Sequence, residues 1–259
     1  MPRHSLRIAT VPYCNAFPLT HYLPQELPDA EIIPYYPSKM RQQLLADEID
    51  LALMPVAELL RTPCAKIVSN CSIASDGDVR SVKLFSKKPI EEIQTLALDT
   101  ASRSSVTICR LILQHFYHIV PIQEDLPLDA PLNSCSSDAF VVIGDRCMSY
   151  VPLEQWQYRC DLGGLWKQNT GLPLVFAAWI GINAQSSEPE TIQSLETARD
   201  KGLTQLELLI KEEVRRGVKL PLPENEVLDY YRNAIVYTLS ERANESLQLF
   251  LDLARHYDL

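Results

Sequence analysis

Four short stretches of this chain carry side chains suited to gripping a small anion. Asn15 stands between Pro12 and Pro18, and Ser81 follows the turn residues Asp76-Gly77-Asp78. Ser102, Arg103, Ser104 and Ser105 sit together in TASRSS, and Gly144-Asp145 follows the apolar run FVVI. The third stretch has the clearest physical logic. Leu96-Ala97-Leu98 reads as a buried strand, Asp99 to Ser105 as a polar turn, and Val106, Ile108, Leu111, Ile112 and Leu113 as one face of a helix. The first N–H groups of a helix lack internal partners, and its dipole favours negative charge there. One serine suffices to cap such a helix. Four hydroxyl residues and an arginine exceed that need, so the turn reads as a carboxylate site.

The other stretches carry weaker signals. Two prolines stiffen the turn that holds Asn15, just past the carboxyl end of the strand Leu6–Val11, where open α/β sheets bind ligands. An asparagine there also serves simply to close an Asx-turn. Gly144 lets the backbone approach a ligand, and Asp145 either caps the next segment or touches substrate. Along Val79–Ser86 the alternation puts Ser81 and Lys83 on one face and Val82 and Leu84 on the other.

The elements that must position these groups alternate. Strands are expected near 6–11, 30–36, 51–54, 64–73 and 79–86, with helices from Ser38 and after Pro55, which signals an α/β fold with mainly parallel sheets. Lys87-Lys88-Pro89 reads as a crossover into a second unit holding the serine-rich turn and the strand Phe140–Ile143. Residues 119–132 are loose and proline-rich, and Leu174–Ile182 leads back to the first unit. Residues 188–257 read as helical. The expected architecture is two-lobed, a venus flytrap with a helical C-terminal tail. Residues 1–88 and 178–259 form one lobe and 89–177 the other. A ligand between them would meet Asn15 and Ser81 from one side, and Ser102 to Ser105 with Gly144-Asp145 from the other.

Composition narrows the function. The chain has 259 residues, 46% hydrophobic and 22% charged, as ordinary globular proteins do. A net charge of −9 and the lack of a basic stripe argue against nucleic acid, so an anion must be held by aimed donors. The N-terminal residues show no apolar signal run and no later stretch could span a membrane, so a cytoplasmic location is expected. Seven scattered cysteines without a CxxC pair, and five histidines apart from them, give no metal spacing. Cys14 is the cysteine nearest the expected site. These residues alone describe a two-lobed binder of a small carboxylate.

VPYCNAFPL, SIASDGDVRSVKLFS, LALDTASRSSVTICRLIL, VVIGDRCM and DLGGLWKQNTGLPLVFAAW occur in an order that resembles the chorismate dehydratases of the futalosine route to menaquinone. The resemblance covers roughly residues 6 to 182. It departs at Cys14, where an aliphatic residue is more usual. It implies a type II periplasmic-binding-protein fold turned into a cytoplasmic hydro-lyase. That enzyme removes water from chorismate to give 3-[(1-carboxyvinyl)oxy]benzoate, without metal or cofactor. It also implies that Asn15 and Ser81 work at the reacting centre, Asn15 on the substrate or its leaving hydroxyl and Ser81 on a substrate oxygen. Neither is an obvious base. The substrate's own enolpyruvyl carboxylate, Asp145 and Asp99 all remain open for that role. Two rivals stand beside this reading. One is a carboxylate sensor or solute-binding module without chemistry. The other is the sister 1,4-dihydroxy-6-naphthoate synthase, whose catalytic histidine motif is not found here; His115 and His118 do not resemble it.

Overall fold

A computed structural model describes residues 5–99, 103–127 and 129–259. Its strands form two sheets. The first contains β1 (Arg7–Thr10), β2 (Glu31–Pro34), β3 (Leu51–Pro55), β4 (Lys66–Ser75), β10 (Leu174–Gly181) and β11 (Val236–Thr238). The second contains β5 (Val82–Ser86), β6 (Thr95–Asp99), β7 (Ile122–Leu126), β8 (Ala139–Ile143) and β9 (Tyr158–Asp161). Their orders are β11-β4-β10-β3-β1-β2 and β7-β6-β8-β5-β9. In each, strands joined through helices run parallel, as in β1–β3 and β6–β8, and returning strands pair antiparallel, as in β10–β3 and β5–β8. The central strands β3 (LALMP) and β8 (AFVVI) are buried along their whole length, as expected of unbroken apolar runs covered on both faces.

The helices are α1 (Phe17–Thr20), α2 (Leu23–Glu26), α3 (Pro37–Leu45), α4 (Arg103–Leu111), α5 (Gly144–Ser149), α6 (Leu162–Thr170), α7 (Pro189–Thr204), α8 (Leu206–Arg215), α9 (Glu224–Asn233) and α10 (Glu241–His256). One apolar core runs through both sheets, and a smaller cluster of Phe85, Phe140 and Trp156 lies with the second. No described helix is long and apolar enough to cross a membrane.

The sheets divide the chain earlier than the expected crossover at 86–90. β5 belongs to the second sheet, so the first crossing is made by residues 76–81 and the return by residues 171–173. β10 lies wholly in the first sheet. Two strands also escape the reading of apolar patterns. β7 lies in the stretch expected to be loose, yet pairs in register with β6; its IQEDL residues are exposed except Leu126, so backbone pairing at the sheet edge holds it. β11 interrupts the expected helical tail with three residues on the edge of β4.

The tail is tied to both halves. α10 packs on β10 and α4, Trp166 Nε1 of α6 donates to Ser246 Oγ at 2.8 Å, and the Tyr257 hydroxyl lies 2.9 Å from His115 Nδ1. Gly171 ends α6 in the left-handed region at φ 72°, donating to the Lys167 carbonyl at 2.8 Å, and nothing lies within 4 Å of where a Cβ would stand. A substitution there strains the backbone without any clash. Gly171→Ala is therefore expected to destabilise the protein by about 1 kcal/mol, read as a small fall in denaturation midpoint with activity retained. An unchanged midpoint would contradict the assigned backbone conformation.

Candidate active site

Between the sheets lies a cleft with about 580 Å³ of empty space, open at its mouth. Its walls are mainly apolar, with Val11, Leu53, Ile73, Val79, Val82, Ile143 and Phe176 among them. The polar side chains that join them are Tyr13, Asn15, Ser81, Ser104 and Ser105. None of the described lining residues is charged.

Asn15 occupies a single 3₁₀ turn, Cys14–Ala16, that runs directly into α1, with Pro18 in its first turn. Backbone bonds hold this turn. The Tyr231 hydroxyl donates to the Cys14 carbonyl at 2.8 Å, and the Tyr237 hydroxyl to the Asn15 carbonyl at 3.0 Å. The Cys14 N–H points at the Asp145 carboxylate, at 3.2 and 3.3 Å from its two oxygens. The asparagine side chain is left over. Its Oδ1 is buried and has no hydrogen-bond partner among the described residues, and the same holds for the Tyr13 hydroxyl. A buried polar atom left unpaired costs about 1–3 kcal/mol, so two in one cleft mark it as built to receive polar groups. Cys14 offers no nucleophile, because burial pushes its thiol up to about 12.

Ser81 closes the crossing segment. The Asp161 carboxylate accepts the N–H groups of Val79 (2.8 Å) and Arg80 (2.6 Å) on that segment, and those of Gly163 (3.0 Å) and Gly164 (3.3 Å) at the start of α6. A Cβ on Gly163 would collide with Ser75 Oγ and the Gly77 carbonyl. The crossing and the DLGG turn thus form one unit. The Ser81 carbonyl accepts from Gly144 N–H at 2.7 Å and its Oγ from the Tyr230 hydroxyl at 2.8 Å. Ser81 therefore stands with the second sheet and not, as expected, beside Asn15 on the first.

Of the serine-rich turn, Ser102 and the Arg103 side chain lie outside the described residues. Ser104 and Ser105, in the first turn of α4, are buried and line the cleft. Ser104 Oγ accepts the Ala57 N–H at 2.9 Å, which links α4 to the first sheet's side of the cleft and leaves the serine proton to give. Gly144 has φ 62°, and its missing Cβ leaves the Tyr13 ring at contact distance. Asp145 is half-buried in the first turn of α5, and burial, partly offset by the Cys14 N–H, raises its carboxyl from 3.8 to about 6. Asp99 is buried at the end of β6, with Arg146 Nη1 at 3.9 Å, and neither aspartate lines the cleft.

The site therefore gathers Asn15, Ser81, Ser104, Ser105 and Gly144, with Asp145 just behind. Sequence reasoning missed Tyr13, although it lies within the quoted PYCN motif, and it missed Tyr230, Tyr231 and Tyr237. The last three come from α9 and β11, where no local pattern points at a site.

Solved structures of similar shape define the class. A structural-genomics protein of Archaeoglobus fulgidus matches with a TM-score of 0.77 at 13% identity, covering 100% of this chain and 99% of that one. The periplasmic aliphatic sulphonate binding protein of Escherichia coli matches at 0.64 and 14% identity, covering 99% and 88%. The fold is that of the periplasmic binding proteins, two α/β lobes around a cleft. Within that class the chain belongs to the menaquinone biosynthesis family, which it matches over residues 6–256. A relative from Thermus thermophilus named chorismate dehydratase is 28% identical over 256 residues, covering 93% of this chain and 92% of its own.

Proposed function

We propose that this protein is a chorismate dehydratase, a hydro-lyase that converts chorismate to 3-[(1-carboxyvinyl)oxy]benzoate. The observation that carries the reading is the meeting of Asn15 and Ser81 in one apolar cleft at the start of α4, with Asn15 Oδ1 buried and without a partner among the described residues. Family membership and the Thermus relative point the same way.

Chorismate is a dicarboxylate on a ring. The N–H groups of α4, with Ser104 and Ser105, suit one carboxylate without a local cluster of cations, while the apolar walls suit the ring. Removing the ring hydroxyl with the neighbouring C–H makes an aromatic ring, which drives the reaction. The protein must then orient the substrate, assist the departing hydroxide and provide a path for the proton. Asn15 binds the substrate or its leaving hydroxyl, Ser81 donates to a substrate oxygen, and the Tyr13 hydroxyl supplies a further donor. No carboxylate or imidazole is found among the described lining residues. This favours the substrate's own enolpyruvyl carboxylate as the base over Asp145 or Asp99.

The test is to mix the purified protein with chorismate and follow absorbance and mass. The expected result is loss of one water and gain of an aromatic product. Tight binding with chorismate unchanged would move the assignment to a carboxylate-binding protein without chemistry. Absence of both binding and turnover would remove chorismate altogether.

A further inference from the structure

Asn15 and Ser81 are both held by tyrosines from residues 224–238, a segment that supplies none of the described cleft-lining residues. Tyr231 and Tyr237 donate to backbone carbonyls of the Asn15 turn. Tyr230 differs, because its hydroxyl meets a functional side chain, Ser81 Oγ, at 2.8 Å. We propose that Tyr230 is a positioning residue of the reaction, which by donating to Ser81 Oγ turns the serine proton into the cleft and strengthens it as a donor to a substrate oxygen. The proposal rests on the reading of Ser81 as a substrate contact.

The direction of the bond follows from chemistry. A phenol is a stronger donor and a weaker acceptor than an alkyl hydroxyl, so the proton between the two oxygens belongs to tyrosine. Tyr230 is 1% exposed, and burial raises its pKa, so the phenol stays protonated at any working pH. Ser81, also 1% exposed, donates to none of the described residues, so its own proton is free to meet a ligand in the cleft that it lines. A hydroxyl that accepts a hydrogen bond is polarised and gives its own proton more strongly. A serine without that partner would be a free rotor, with its proton aimed anywhere. Tyr230 thus fixes a direction and adds polarity, and touches no reacting atom itself.

Tyr230→Phe keeps the buried ring and removes only the hydroxyl. The expected result is a fall in kcat of about tenfold, the size of one neutral hydrogen bond, with KM within a few-fold and only a small fall in thermal midpoint for the buried hydrogen bond lost. The decisive measurement is a double-mutant cycle with Ser81→Ala. A residue acting through Ser81 has no further effect once that hydroxyl is gone, whereas a structural residue lowers the rate by the same factor in both backgrounds. The cycle is also read on the dissociation constant of the aromatic product, so that a Ser81→Ala variant too slow to assay still gives an answer. Additive losses, or a Tyr230→Phe variant at the wild-type rate beside an impaired Ser81→Ala, would overturn the role of Tyr230 alone. A Ser81→Ala variant with full turnover would overturn the reading of Ser81 and this proposal with it.

Discussion

Asn15→Ala is expected to abolish most turnover while leaving the protein as stable as before. The turn that carries Asn15 is fixed through backbone atoms. Tyr231 holds the Cys14 carbonyl, Tyr237 the Asn15 carbonyl and Asp145 the Cys14 N–H. None of these bonds involves the Asn15 side chain, whose Oδ1 is buried and has no partner among the described residues. Truncation therefore removes an unsatisfied polar atom from the empty protein. The thermal midpoint should stay constant or rise slightly, because deleting an unpaired buried group relieves its desolvation cost. Catalysis should respond in the opposite sense. Loss of one aimed hydrogen-bonding group at a reacting centre costs about 10²–10³ in kcat. The enolpyruvyl and ring carboxylates keep their other contacts, so KM should move less than kcat. Initial rates from chorismate absorbance, product mass and a melting curve give all three quantities. Full turnover in Asn15→Ala would remove the residue from the chemistry and leave it as a turn-former.

What the sequence reveals here is local, and what it conceals is long-range. The Asn15 turn, the Ser81 crossing and the α4 start are each written within a dozen residues, as prolines, turn residues and an apolar period. Their gathering in one cleft follows from the alternation of strands and helices. The DLGG turn also makes physical sense once folded, because Asp161 ties it to Val79 and Arg80, 82 and 81 residues away. By contrast, Tyr230 meets Ser81 across 149 residues and Tyr237 meets Asn15 across 222. A helix that turns a tyrosine to a remote serine has the same apolar period as one that buries it in a core. β7 and β11 escape notice for a related reason. Both are edge strands held by backbone pairing, and β7 exposes most of its side chains. The placement of Ser81 on the wrong side of the cleft has another cause. Alternation identifies the strand it precedes but not the sheet which that strand joins.

Asp145 separates the possible bases, and Asp145→Asn should stabilise the protein while sparing the reaction. Its carboxyl is raised from 3.8 to about 6, chiefly by burial. In the folded protein the neutral acid is thus favoured more than in the unfolded chain. The stability this contributes is complete below pH 4 and is lost as pH rises through about 6. A rise of that size corresponds to roughly 3 kcal/mol at 1.36 kcal/mol per pH unit, an upper figure for a half-buried group. Asparagine keeps an oxygen for the Cys14 N–H and carries no charge. The variant should therefore be more stable than the wild type at pH 7–8, by up to about 3 kcal/mol, with the difference fading towards pH 4. Denaturant unfolding at several pH values measures this directly. Turnover decides the chemistry. If the substrate's carboxylate takes the proton, Asp145→Asn keeps kcat within a few-fold, and KM for the dianion falls because a negative charge has left the Asn15 turn just behind the cleft. If Asp145 is the base, kcat collapses although binding survives, and the wild-type rate shows a limb near pH 6 that the variant lacks. The described lining of the cleft, which includes neither Asp145 nor Asp99, sets the expectation on the first outcome.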